Sequence, residues 1–234
     1  MNDLLNLLNV NNTFFTIFGY DMSYVEFFGT LLNLACVYLV AKKNIWNWPI
    51  GIVGVAVFAA LFYQLNLYAD LMEQGFYFVT GIIGWIAWTR AKKPQDKTES
   101  IEVTRNTFTV NAAWLIGIAI FTGLGAWAMA RVHVWLPALF PEPAALPMLD
   151  VLTTIMSFAA QIMLIQKRLE NWILWIIVDV IAVGLYWYKG VALVAALYAV
   201  FLVIATMGFF TWLNTYRRER HETRTGSREV LPTT

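Results

Sequence analysis

Seven stretches of near-continuous apolar residues run along the chain, at about 24–42, 46–66, 68–90, 108–131, 149–167, 169–188 and 190–214. Each is close to the roughly 20 residues that a helix needs to cross a bilayer. None alternates apolar and polar residues as a membrane β-strand would. The pattern predicts an all-α membrane protein with seven transmembrane helices. Polar and small residues recur at the spacing of a single helical face. The first stretch has Glu26, Thr30 and Asn33, and the second Asn47, Gly51, Gly54 and Phe58. The third has Asp70, Glu73, Gln74, Tyr77, Thr80, Gly81, Gly84 and Trp88, and the fifth Asp150, Thr153, Thr154, Ser157 and Gln161. The sixth has Asn171, Trp175, Asp179, Ala182 and Tyr186, while the seventh offers Tyr198 in a largely apolar stretch.

The polar positions expose a duplication. Residues 25–90 and 149–214 match without a gap at a displacement of 124: Lys43 falls on Lys167, Asn47 on Asn171, Trp48 on Trp172, Gly84 on Gly208 and Trp88 on Trp212. Each copy holds three stretches, and the fourth stretch crosses once between them, so both triplets run in the same direction. Its Ala113, Gly117, Ala119 and Gly123 include the spacing that lets helices approach closely. The expected organisation is an interfacial segment over 1–23, a first repeat over 24–90, and a linker with the fourth helix and an outer loop over 91–148. A second repeat over 149–215 and a disordered tail over 216–234 complete it. Duplicated three-helix units point to a transporter, because substrate sites form where such repeats face each other near mid-membrane.

Composition agrees: 59% of residues are hydrophobic and 13% charged, leaving no room for a sizeable soluble domain. The net charge of +1 says little, but its placement is informative. With alternating spans, one side receives Lys42, Lys43, Arg90, Lys92, Lys93, Lys97, Arg105, Lys167, Arg168, Arg217, Arg218, Arg220, Arg224 and Arg228. The other receives only Arg131 and Lys189. Basic residues mark cytoplasmic loops, which predicts the N-terminus outside and the C-terminus inside. The single cysteine, Cys36, permits no intramolecular disulfide. Residues 1–19 lack the features of a cleaved signal, and Leu4, Leu5, Leu7 and Leu8 with Phe14, Phe15 and Phe18 suggest a segment lying at the interface.

Asp179 falls near the middle of its span, where an acidic group is expensive and marks a functional position by default. Glu73 and Asp70 lie nearer the outer end; Gln74 and Tyr77 are deeper and can hydrogen-bond without charge. Glu26 and Asp150, close to the outer surface, are expected to be gating or structural groups. Asn47 and Asn171 open matching helices and serve either as caps or as substrate contacts. Trp46, Trp48, Trp88 and Trp212 read as interfacial anchors, while Trp175 and Trp85 are placed to stack on a flat ligand. A cavity of this kind is aromatic, amide-rich and mildly acidic. It suits a neutral or cationic ring joined to a hydroxyl-bearing sugar and suits an anion poorly. Both histidines, His133 and His221, lie outside the spans with no metal-ligand or nucleophile–base cluster, so no enzyme, metal or cofactor is expected, and no nucleic-acid partner. A seven-helix photoreceptor needs a lysine in its last span, and residues 191–214 contain none. The absence of histidine from the spans favours a uniporter over a proton-coupled carrier, with Asp179 as the one group that keeps coupling open.

The run Glu170-Asn171-Trp172-Ile173-Leu174-Trp175-Ile176-Ile177-Val178-Asp179-Val180, with Leu67-Tyr68-Ala69 through Gln74 and Gly84-Trp85-Ile86-Ala87-Trp88, resembles the PnuC family. Gly19-Tyr20-Asp21 and the surroundings of Glu26 are similar to it as well, so the likeness covers about 20–215. The resemblance implies a SWEET-like parallel 3+1+3 architecture, a homotrimer in the bacterial inner membrane, and facilitated diffusion of nicotinamide riboside that a separate kinase traps by phosphorylation. It carries site roles onto Gln74, Asn171, Trp175 and Asp179. Related carriers move thiamine and riboflavin, and the family admits asparagine at the position of Asp179 and non-acidic residues at Asp70 and Glu73, so no carboxylate is made obligatory.

Overall fold

The computed structural model describes residues 8–17, 19–65, 67–90, 102–137, 146–188 and 190–229. Leu4, Leu5, Leu7, Phe18, the charged linker over 91–101, the proline-containing stretch over 138–145 and residues 230–234 lie outside the described residues. A small hairpin, β1 (Thr13–Ile17) and β2 (Tyr20–Ser23), precedes eight helices: α1 (Tyr24–Ala41), α2 (Asn47–Gln64), α3 (Tyr68–Arg90), α4 (Phe108–Met129), α5 (Val132–Trp135), α6 (Pro147–Ile165), α7 (Glu170–Tyr188) and α8 (Ala192–Glu229). Two compact units divide the chain, Met1–Ile101 and Glu102–Thr234.

In the first unit α2 packs between α1 and α3. The hairpin lies within the stretch over 1–23 that composition suggests is an interfacial segment. Its strands are antiparallel, Ile17 opposite Tyr20 and Thr16 opposite Asp21. Gly19 at φ +80° supplies the left-handed residue that so tight a loop requires. Ser23 caps α1 in a capping box with Glu26. Gln64 at the far end of α2 ties down the preceding arm, donating to the Leu8 carbonyl and accepting from the Val10 N–H.

The second unit contains the fourth long helix as well as the second triplet: α4 packs on α6, α6 on α7, and α7 on α8. Its apolar centre joins Ile118 of α4, Met156, Ala160 and Met163 of α6, and Leu174 and Val178 of α7. The close contact of α4 is made by Gly125, where a Cβ would come within 2.6 Å of Val151; Gly117 and Gly123, picked out by their spacing, face open space in this unit. The last helix runs on through Glu229, where composition predicts a disordered tail. Arginine and glutamate are adequate helix formers, and the Arg218–Glu222 pair at 3.6 Å lies on the extension.

Six of these helices, α1, α2, α4, α6, α7 and α8, are long and apolar enough to cross a membrane. The third, α3, has the length, 23 residues, but Asp70, Glu73 and Gln74 near its start lower its hydropathy.

The duplication is visible as one turn built twice. Helix α1 ends with the Asn44 N–H donating to the Leu39 carbonyl at 2.9 Å and the Lys43 N–H to Val40 at 2.8 Å. Helix α6 ends with Arg168 donating to Met163 and Lys167 to Leu164, both at 2.9 Å. These are Schellman pairs, which satisfy the orphan carbonyls of a helix end and need a left-handed residue. Lysine occupies that position in both copies, at φ 56° for Lys43 and 59° for Lys167. Next, the Asn47 and Asn171 side chains donate back to the Asn44 and Arg168 carbonyls at 2.6 and 2.5 Å. The indoles of Trp48 and Trp172 then lie over Gly84 and Gly208 and meet Trp88 and Trp212 edge to face, at 5.2 and 5.7 Å between centroids.

Candidate functional site

Helix α7 carries the three residues of highest interest, Asn171, Trp175 and Asp179, at four-residue spacing along one side. Asp179 is 5% exposed, and among the described residues its carboxylate has no hydrogen-bond or ion-pair partner. Ser157 and Gln161, from the polar stripe of α6, are buried in the same unit. An acidic group so enclosed costs several kcal/mol, on the order of what an unpaired buried ion loses, unless a counter-charge or donor reaches it. Trp175 is partly buried and packs with Trp114, Leu152 and Ile155 against the apolar centre of the unit. Tyr198 of α8 stacks on Tyr186 of α7, 5.4 Å between centroids and 9° from parallel, joining two polar-tipped rings across a helix pair.

In the first unit Glu73, Gln74 and Tyr77 are half-buried along α3, and Trp85 is 44% exposed. The two asparagines that open α2 and α7 are fully buried and brace the repeated turn, so capping the turn takes at least one of each amide's hydrogens. Among the described residues Asn171 Oδ1 remains a buried acceptor without a partner. Three of the tryptophans expected as interfacial anchors, Trp48, Trp88 and Trp212, are buried instead. The periodic pattern cannot distinguish an indole facing headgroups from one lying on a glycine of the next helix. Trp46, 63% exposed, retains a surface position.

Glu26 is held by the Ser23 N–H and hydroxyl at 2.8 and 2.7 Å and by the Tyr20 hydroxyl. The Tyr20 hydroxyl is pushed up to about 12, first by its hydrogen bond to Glu26, then by burial and by the charge of Glu26. Asp150 lies exposed in the first turn of α6, where the helix dipole favours an anion.

One buried carboxylate escaped the sequence reading. Glu170, the first residue of α7, is 6% exposed and bonded to Arg105 and Asn106. Its partners lie some 65 positions earlier, beyond the reach of any periodicity. Tyr186 was recognisable as part of the α7 stripe, but its pairing with Tyr198 depends on how two helices meet.

Apolar helices bearing an enclosed carboxylate, amides and paired aromatics define a multi-pass membrane transporter. A model of the family described as nicotinamide mononucleotide transporter matches residues 23–214, and the chain belongs to that family. It is 31% identical over 214 residues to the nicotinamide riboside transporter PnuC of Escherichia coli, covering 85% of this chain and 89% of that one. The PnuC of Neisseria mucosa is 26% identical over 222 residues, 92% of this chain and 81% of its own. The riboflavin/roseoflavin transporter RibM of Streptomyces davaonensis is 23% identical over 211 residues, 90% of this chain and 94% of its own. Among solved structures, a crystal structure of the vitamin B3 transporter PnuC shares the fold, with a TM-score of 0.63, 23% identity, and coverage of 83% of this chain and 81% of that one.

Proposed function

We propose that this protein carries nicotinamide riboside across the bacterial inner membrane by facilitated diffusion, followed by phosphorylation by a separate kinase that prevents return. One observation carries the choice of the riboside over the mononucleotide named in the family description. No lysine, arginine or histidine lies within the seven long helices up to Tyr216 except Arg90 at the end of α3, whereas Asp179 is enclosed in α7. A phosphate entering that environment would meet no cation and one like charge, at a high desolvation cost. A pyridinium ring supplies the counter-charge that the Asp179 carboxylate lacks, and aromatic faces such as Trp175 suit a flat cation.

The architecture in this reading is seven spans in a parallel 3+1+3, SWEET-like order, with α3 as the seventh span. A helix that lines a wet path is expected to be more polar than its neighbours, which is how Asp70, Glu73 and Gln74 fit. The matching Schellman turns after α1 and α6 support two repeats of one direction. In this reading the N-terminus is outside and the C-terminus cytoplasmic, the assembly is a homotrimer, and the chain catalyses no reaction. The substrate contacts come from Gln74, Tyr77, Glu73, Trp85 and Asn47 of the first repeat and Asn171, Trp175, Asp179 and Tyr198 of the second.

The test is uptake of labelled riboside into proteoliposomes holding the purified protein, with nicotinamide mononucleotide, thiamine and riboflavin as competitors. Inhibition by unlabelled riboside alone supports the reading. Equal inhibition by the mononucleotide, or uptake of riboflavin in place of riboside, refutes it.

A further inference from the structure

The second copy of the repeated turn is held from outside. Residues 102–107, which lead into α4, lie along the turn between α6 and α7. The Thr104 N–H donates to the Lys167 carbonyl at 3.0 Å, and the Leu169 N–H returns a bond to the Thr104 carbonyl at 2.9 Å. Arg168 Nη1 donates to the Arg105 carbonyl at 3.1 Å. The Asn106 N–H is shared between both oxygens of Glu170 at 3.2 Å, and Arg105 Nε approaches one of them at 3.5 Å. The Val103 N–H reaches Glu219 of α8 at 3.3 Å, and Val103 and Leu169 are both 2% exposed. At the position 124 residues before Glu170 stands Trp46, whose side chain accepts no hydrogen bond and is 63% exposed.

We infer that residues 102–107 form a clamp, and that Glu170 is a positioning residue that fixes the height and rotation of α7. A carboxylate is buried at a cost that only its donors offset, so its bonds to Arg105 and Asn106 hold the first residue of the helix in one place. Asn171, Trp175 and Asp179 follow directly on that helix. The clamp then fixes the wall that α7 gives to the substrate path. The ligand used below rests on the function proposed above; the clamp itself does not.

Hydrogen exchange of the purified full chain, with and without nicotinamide riboside, tests it. In the wild type, peptides covering 166–174 exchange slowly with and without the riboside. Glu170→Ala speeds exchange over 166–174 by about tenfold without ligand, as loss of a local closed state should. It also raises the riboside Kd about tenfold with an unchanged number of sites, the effect of a lost charged acceptor acting through position. Glu170→Gln, which keeps the shape and one acceptor, falls between the two, and serves in its place if the alanine variant does not fold. Glutamine and alanine variants that bind and exchange as the wild type does overturn the clamp. If the wild type binds no riboside, the proposed substrate is wrong, and the ligand-free comparison of wild type and variants still decides the clamp.

Discussion

The indole of Trp172 lies so close over Gly208 that a Cβ there would sit 2.5 Å from the ring, and Trp48 stands over Gly84 in the same way at 2.1 Å. Both indoles are buried, and each meets a second tryptophan edge to face. A rigid bicyclic ring cannot step aside as a flexible chain end can. Gly84→Ala and Gly208→Ala should each destabilise the protein by about 1–3 kcal/mol, the usual cost of overpacking. That exceeds the roughly 1 kcal/mol that alanine gains over glycine in a helix. Gly117→Ala, at a site with nothing within 4 Å, should show only the gain. Thermal unfolding in detergent reads all three.

The left-handed lysines make the opposite prediction. Lys167 holds φ 59°, a conformation that costs a side-chain-bearing residue about 1 kcal/mol and glycine nothing. Lys167→Gly keeps the carbonyl that Thr104 uses and should stabilise the fold by about 0.5–1 kcal/mol. Burial lowers the pKa of the Lys167 ammonium and the charge of Glu102 opposes this, so the attraction to Glu102 is what the substitution gives up. An unchanged or lower midpoint in the same unfolding assay would show that the lysine side chain is needed at the turn.

In the β1–β2 hairpin, the hydrogen bond to Glu26 is the first cause that pushes the pKa of Tyr20 up from 10 to about 12. A group whose folded pKa is raised keeps its full contribution below the unfolded pKa and loses it as pH rises through the folded value. Hairpin stability should therefore be constant to about pH 10 and fall between about 10 and 12. Tyr20→Phe should abolish that dependence and lower protection of the β1–β2 amides at neutral pH, measured by hydrogen exchange.

Much of the fold was legible because it is written twice. Lys43 and Lys167, Asn47 and Asn171, and the two Trp–Gly–Trp sets occupy matching positions, and a gapless displacement of 124 is visible without coordinates. The roles of those residues were less legible. An asparagine at a helix start reads equally as a cap or a ligand contact, and only the bonds to Asn44 and Arg168 show the brace. The hairpin was hidden because Thr13 to Ile17 is too short to show a period beside long apolar helices. Glu170 was hidden because its burial comes from residues 102–107, distant in sequence and unremarkable in composition.

Uptake driven only by the riboside gradient should be insensitive to collapse of the proton gradient. No histidine lies in the seven long helices before Tyr216, and among the described residues Asp179 has no basic partner with which to exchange a proton. Proteoliposome uptake that falls several-fold when a protonophore is added would replace the uniport account with a coupled one.

Asp179, enclosed in α7, is expected to favour a cationic nucleoside over its phosphorylated form. Equilibrium binding to the purified protein measures this directly, with nicotinamide riboside and nicotinamide mononucleotide titrated in parallel against the wild type and Asp179→Ala. Saturable riboside binding, weakened about tenfold by the substitution as expected for a lost charge-assisted contact, and no measurable mononucleotide binding are predicted. Mononucleotide binding as tight as that of the riboside, or riboside affinity untouched in a folded Asp179→Ala protein, would contradict it.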